Sequence, residues 1–228
     1  MAGKLVADIR IDGAGKKVTR SDNCRVSDLS VSSDNLTFTY EAKSLPYPID
    51  TSYYDNEKHT QADALSVIPF MDEMNYEGLS VSGLSDGYYG LTIGGEFIGR
   101  FTARELERGI NMALLQNTPQ YKQAMKIRQM NEERWLKERK MREFYWVEYN
   151  LMRKTGMLWA CDEAAVDTLR KYRPHDIFLQ WNGDLWLQYM HKGIREDCVN
   201  EQQDLVDRIY EQNKPIPLQI EIKKFTDL

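Results

Sequence analysis

Three histidines, three cysteines and one serine-bearing turn hold the side chains of this 228-residue chain that could make or break a bond. A serine hydrolase needs an imidazole against a hydroxyl, with a carboxylate to orient the ring. The imidazoles are His59, His175 and His191. His175-Asp176 follows Arg173-Pro174 and reads as a loop or the start of a helix. His191 stands beside Lys192-Gly193 near a helix end, where the dipole favours it. Ser85-Asp86-Gly87 is ordinary turn chemistry. Cys24, Cys161 and Cys198 are odd in number, and none has metal-ligand spacing to another Cys or His. They read as buried or idle thiols, with one disulfide left open. HExxH, CxxC and HxxxH are absent, so no metal site is expected. Gly83, Gly87, Gly90, Gly94 and Gly95 match neither a dinucleotide fingerprint nor a P-loop. No catalytic residue, metal or cofactor is assigned.

Binding chemistry has better material. Trp181, Trp186 and Tyr189 are candidates for a platform on which a sugar could stack. Core or interface packing is the simpler use of the same rings. Arg134, Lys137, Arg139, Lys140 and Arg142 alternate with Glu132, Glu133, Glu138 and Glu143. Pairs at i,i+4 such as Glu133–Lys137 and Glu138–Arg142 describe a solvated helix face, so nucleic acid is not expected as a partner. Thirty basic against 35 acidic residues, a net charge of −5, argue the same way. No apolar run reaches membrane-spanning length, and the N-terminus lacks the apolar stretch of a signal peptide.

The elements that must position these residues divide the chain in two. Residues 1–101 read as an antiparallel β module, a meander or small sandwich. Leu5, Ala7, Ile9 and Ile11 alternate, and Leu36, Phe38 and Tyr40 share a face. Further strands are expected over 26–31, 79–84, 88–93 and 96–101, with an irregular loop over 44–62. Residues 102–228 read as mainly helical. Thr102 and Glu105 form a capping box, and Leu106, Ile110, Ala113 and Leu114 recur at helical spacing across Gly109. A long helix over about 119–154 would extend about 50 Å, polar in its middle, aromatic at its ends, and stopped at Thr155-Gly156. Shorter helices follow, with Asp162 as an N-cap and Val199, Leu205, Val206 and Ile209 inward on the last one. Residues 218–222 alternate as a terminal strand. The fold class is α+β, with the long helices expected to form a projecting hairpin.

Several ordered pieces carry a family resemblance. They are SLPYPID (44–50), the stretch from VIPFMDEMN to TPQYKQA (67–124) and NKPIP (213–217). The densest part is G-L-x-x-G-x-Y, then G-x-F-x-A-x-E-L-x-x-G-I-N, then T-P-Q-Y over 83–121, with Arg100 inserted after Gly99. This resembles the C-terminal region of a bacterial SGNH/GDSL-like lipase/acylhydrolase. The resemblance implies a parent that is exported, periplasmic or extracellular, and that cleaves acyl esters, on carbohydrates, through Ser, His and Asp. The family's Gly-Asp-Ser, Gly-x-Asn-Asp and Asp-x-x-His blocks have no counterpart here; Leu84-Ser85-Asp86-Gly87 has the wrong order. The chain is therefore expected to be a non-catalytic accessory region that packs on, or shapes the cleft of, an N-terminal SGNH catalytic domain. Two alternatives are a carbohydrate-binding module using Trp181, Trp186 and Tyr189, and a homodimer formed through the long helix.

Overall fold

Alternating apolar residues build the first half of the fold, as a computed structural model covering residues 5–50 and 60–225 shows. The irregular segment around His59 lies partly outside the described residues. The strands are β1 (Leu5–Asp12), β2 (Lys17–Asp22), β3 (Cys24–Val31), β4 (Asn35–Ala42), β5 (Tyr76–Ser82), β6 (Tyr88–Ile93), β7 (Glu96–Thr102), β8 (Ile110–Asn111) and β9 (Leu218–Lys224). The helices are α1 (Phe70–Glu73), α2 (Ala103–Arg108), α3 (Pro119–Val147), α4 (Glu163–Tyr172), α5 (Ile177–Tyr189) and α6 (Lys192–Gln212). The protein is α+β, with antiparallel-rich sheets, long helices and a C-terminal strand.

The strands do not run as a meander. They form two sheets in the orders β2-β1-β5-β8 and β3-β4-β9-β6-β7. Strand β1 pairs with β5 in parallel, Ile9 opposite Leu79. Strand β9 lies between β4 and β6, with Leu36 and Leu91 both opposite Ile222. Hairpin spacing alone could not place a strand that arrives so late in the chain. Ala7, Ile9, Ile11, Leu36, Phe38, Tyr40, Leu79, Leu91, Ile220 and Ile222 share one core. Burying side chains of this size contributes about 1.5–3 kcal/mol each.

One carboxylate sits inside this unit. Glu77 is fully buried, accepting from the Tyr40 hydroxyl at 2.8 Å and from the Gln120 amide at 3.3 Å. Desolvation raises its pKa from the ordinary 4.5 to about 7, and the two hydrogen bonds limit the rise.

The helix expected to cross Gly109 stops there. Thr102 caps α2, its hydroxyl accepting from the Glu105 N–H at 3.2 Å while the Glu105 carboxylate accepts from the Thr102 N–H at 2.7 Å. Gly109 then takes φ +94°, and a Cβ there would come within 3.8 Å of the Leu79 carbonyl oxygen. That conformation turns residues 110–111 into pairing with β5, and it leaves Leu114 exposed.

The chain divides into two compact units, Met1–Arg128 with Gln212–Leu228, and Gln129–Glu211. The second is all helical. Its core holds Phe144, Val147, Met152, Ala165, Leu169, Leu179, Trp186 and Cys198. The long helix is α3 plus a π-turn over Glu148–Met152, and Gly156 follows at φ +75°. Exposed ion pairs line α3, with Arg134–Glu138 at 3.1 Å and Arg139–Glu143 at 2.7 Å. Lys137 pairs with Glu201 on α6 at 2.5 Å. Helix α4 starts as its sequence suggests, the Ala165 N–H donating to Asp162 at 3.0 Å. Helix α5 runs through Asn182-Gly183 without a break. On α6, Leu205 is buried, whereas Val199 faces out.

Candidate ligand-binding site in the helical unit

The aromatic end of α3 forms one wall of a cavity in the helical unit. Residues 144–152 read FYWVEYNLM, an apolar run with a single carboxylate inside it. The α-helix widens at that carboxylate into the π-turn, where the Arg153 N–H donates to the Glu148 carbonyl at 2.8 Å. Such turns occur often at functional sites.

Glu148 is buried, and among the described residues it has no cation partner. Both of its oxygens are nevertheless used. Oε1 accepts from the Trp186 indole N–H at 2.9 Å, and Oε2 accepts from the Trp159 backbone N–H at 3.0 Å. A buried charge is tolerated only when its lone pairs are met in this way.

Trp159 sits at φ +63°. For a bulky L-residue this region costs about 1–2 kcal/mol, so the Glu148 bond holds a strained turn. The strain presents the Trp159 ring edge-on to Tyr145 and Tyr149, with centroids 6.1 and 6.0 Å apart and interplanar angles of 85°. All three rings keep part of their surface in solvent.

Arg195 completes the arrangement. Its Nη1 donates to the Tyr189 and Met190 carbonyls at 2.7 and 2.6 Å, satisfying the end of α5. Its guanidinium lies 4.7 Å from the Phe144 centroid and 5.8 Å from that of Trp159. Beside it is a cavity of about 470 Å³, walled by Tyr145 and Trp159 and lined by Lys192, Arg195, Glu196, Val199 and Asn200. Rings, cations and an amide suit it to holding a small planar molecule.

The aromatic residues singled out in the sequence are not one surface. Trp186 and Tyr189 are buried in the helical core, while Trp181 is 67% exposed and packs edge-on against Phe178 at 5.6 Å. Sequence reasoning noted Tyr145 and Tyr149 only as the apolar end of a helix, and it passed over Glu148 and Trp159. The lone carboxylate in an apolar run was the available signal for Glu148.

The residues of reactive type lie apart. His175 lines a separate cavity of about 350 Å³ with Trp146, Lys154 and Tyr172. The neighbouring Asp176 carboxylate is occupied in capping α5, accepting from the Phe178 and Leu179 N–H groups at 2.8 and 3.3 Å. His191 is exposed, and His59 lies outside the described residues. Ser85 has Lys224 Nζ at 2.7 Å and the Tyr89 hydroxyl at 3.1 Å, with no described imidazole bonded to it. All three thiols are free, Cys161 exposed and the other two buried. Burial pushes the Cys24 thiol up to about 11. Among the described residues no group of His, Cys, Asp and Glu could hold a metal, and no helix is long and apolar enough to cross a membrane.

Comparison with known proteins corrects the family expectation. Residues 125–214 match the family model of the diltiazem deacetylase C-terminal helical domain. A solved structure, described as BT4096, a gut microbial diltiazem-metabolizing enzyme, shares 36% identity at a TM-score of 0.90. The match covers 98% of this chain and 51% of that one. No curated protein matches the sequence significantly. Neither match is to an SGNH/GDSL hydrolase, so that resemblance, with its GDSL lipase/acylhydrolase assignment, is overturned. Its pieces are a capping box, glycine turns and strand ends, local devices that unrelated α+β folds share. The chain spans about half the length of the diltiazem-metabolizing enzyme it is similar to, and its helical residues 125–214 resemble the C-terminal helical domain of diltiazem deacetylase.

Proposed function

We propose that this chain is the non-catalytic accessory portion of a deacetylase-type enzyme, and that its helical unit packs on the catalytic portion and shapes the cleft where an acyl group is removed. The observation that carries this reading is the match of residues 125–214 to a C-terminal helical domain of such an enzyme. Acyl transfer needs a nucleophile, a base to activate it and donors for the developing oxyanion. The partner is a catalytic portion supplying those groups.

The test is a chimera. Residues 125–214 replace the corresponding segment of the diltiazem-metabolizing enzyme. A folded chimera that still deacetylates diltiazem supports the reading. A folded chimera without activity contradicts it.

A further inference from the structure

We infer that the cavity between Trp159 and Arg195 is a binding site for a small aromatic carboxylate, an assignment independent of the accessory role. Arg195 is half-buried, and no described carboxylate pairs with it. Its Nη1 is committed to the carbonyls that end α5, and among the described residues no hydrogen-bond partner takes the other guanidinium nitrogens. The only acid lining the cavity, Glu196, bonds Lys192 at 3.0 Å. A partly desolvated guanidinium without a counter-ion favours an anion, and its planar fork suits a carboxylate.

The walls specify the rest of the ligand. Trp159 and Tyr145 stand nearly perpendicular, so a flat ring seated against one face meets the edge of the other. Val199 is held in solvent on α6 at the cavity lining, an apolar surface awaiting cover. The volume of about 470 Å³ lies within the range for small-molecule sites. The strained turn at Trp159 and the buried Glu148 beneath it fix this ring in place before any ligand arrives. Preorganisation of this kind lowers the entropic cost of binding.

Isothermal titration of the whole chain with benzoate, benzamide and acetate tests the assignment. Benzoate is expected to bind about tenfold tighter than benzamide, the difference made by one charge-assisted contact. Acetate, lacking the ring, should bind more weakly still. Trp159→Gly removes the ring, and glycine accepts its backbone angles without strain. Val199→Trp fills the cavity from an exposed position and leaves the supporting bonds untouched. Both variants should lose benzoate binding while keeping the far-UV circular dichroism of the parent. If Trp159→Gly fails to fold, Val199→Trp decides alone. Absence of benzoate binding, equal affinity for benzamide, or benzoate binding that survives Val199→Trp would overturn the assignment.

Discussion

The Trp159 backbone N–H donates to the Glu148 carboxylate at 3.0 Å, and this bond joins a π-turn to a residue in the left-handed region. The other Glu148 oxygen takes the buried Trp186 indole. One side chain therefore fixes both the core of the helical unit and the wall of its cavity. Glu148→Ala strands the buried Trp186 indole N–H and the partly buried Trp159 N–H, and is expected to cost about 2–4 kcal/mol. Urea unfolding measures this, and a loss below 1 kcal/mol would remove Glu148 from its organising place.

The backbone strain at Trp159 has its own signature. Alanine at φ +63° keeps the steric penalty, whereas glycine relieves it. Trp159→Gly should be more stable than Trp159→Ala by about 1 kcal/mol, although glycine ordinarily loses such comparisons. The same unfolding curves decide it, since alanine equal to glycine would mean a relaxed turn.

Glu77 predicts a pH dependence of stability in the β unit. Its folded pKa of about 7 lies above the ordinary 4.5, so the folded state holds the proton more tightly than the unfolded chain. The stabilisation is present in full below pH 4.5 and is lost as pH rises through about 7. The loss amounts to about 3 kcal/mol. The Tyr40 hydroxyl and the Gln120 amide face the carboxylate, and neither offers a positive charge to offset it. Glu77→Gln should flatten the stability profile between pH 5 and 8 by about that amount. Parallel slopes in the two proteins would place the titration elsewhere.

Thiol chemistry separates the cysteines. Cys161 is exposed, Cys24 is buried with its thiol held at about 11, and Cys198 is buried against α3, near the Lys137 carbonyl. Iodoacetamide at pH 8 should label Cys161 within minutes and reach the other two only after unfolding. Peptide mass mapping reads the order directly, and early labelling of Cys24 would contradict its burial.

Local rules made much of this legible. The alternation of Leu36, Phe38 and Tyr40, the Thr102–Glu105 box and the Asp162 cap each depend on neighbours a few residues away, and each is found as the sequence suggests. The insertion of β9 between β4 and β6 depends on partners at opposite ends of the chain, which no short-range pattern encodes. A glycine interrupting an apolar stripe at 109 points to another backbone close by, and β5 is that backbone, although the helix ends at Gly109 instead of crossing it. The cavity was half visible. Tyr145 and Tyr149 stood out as aromatics, but a tryptophan in a glycine-like conformation leaves no trace in composition or spacing. The buried rings of Trp186 and Tyr189 show the converse, because aromatic spacing on a helix does not say which face is covered.

Whether the chain supports chemistry or performs it is decided by p-nitrophenyl acetate. Purified protein and a Ser85→Ala variant are mixed with the ester, and released nitrophenolate is followed by absorbance. The expected rate for both equals that of denatured protein. Turnover well above that background, abolished by Ser85→Ala, would make Ser85 and Lys224 a working pair and contradict the accessory reading.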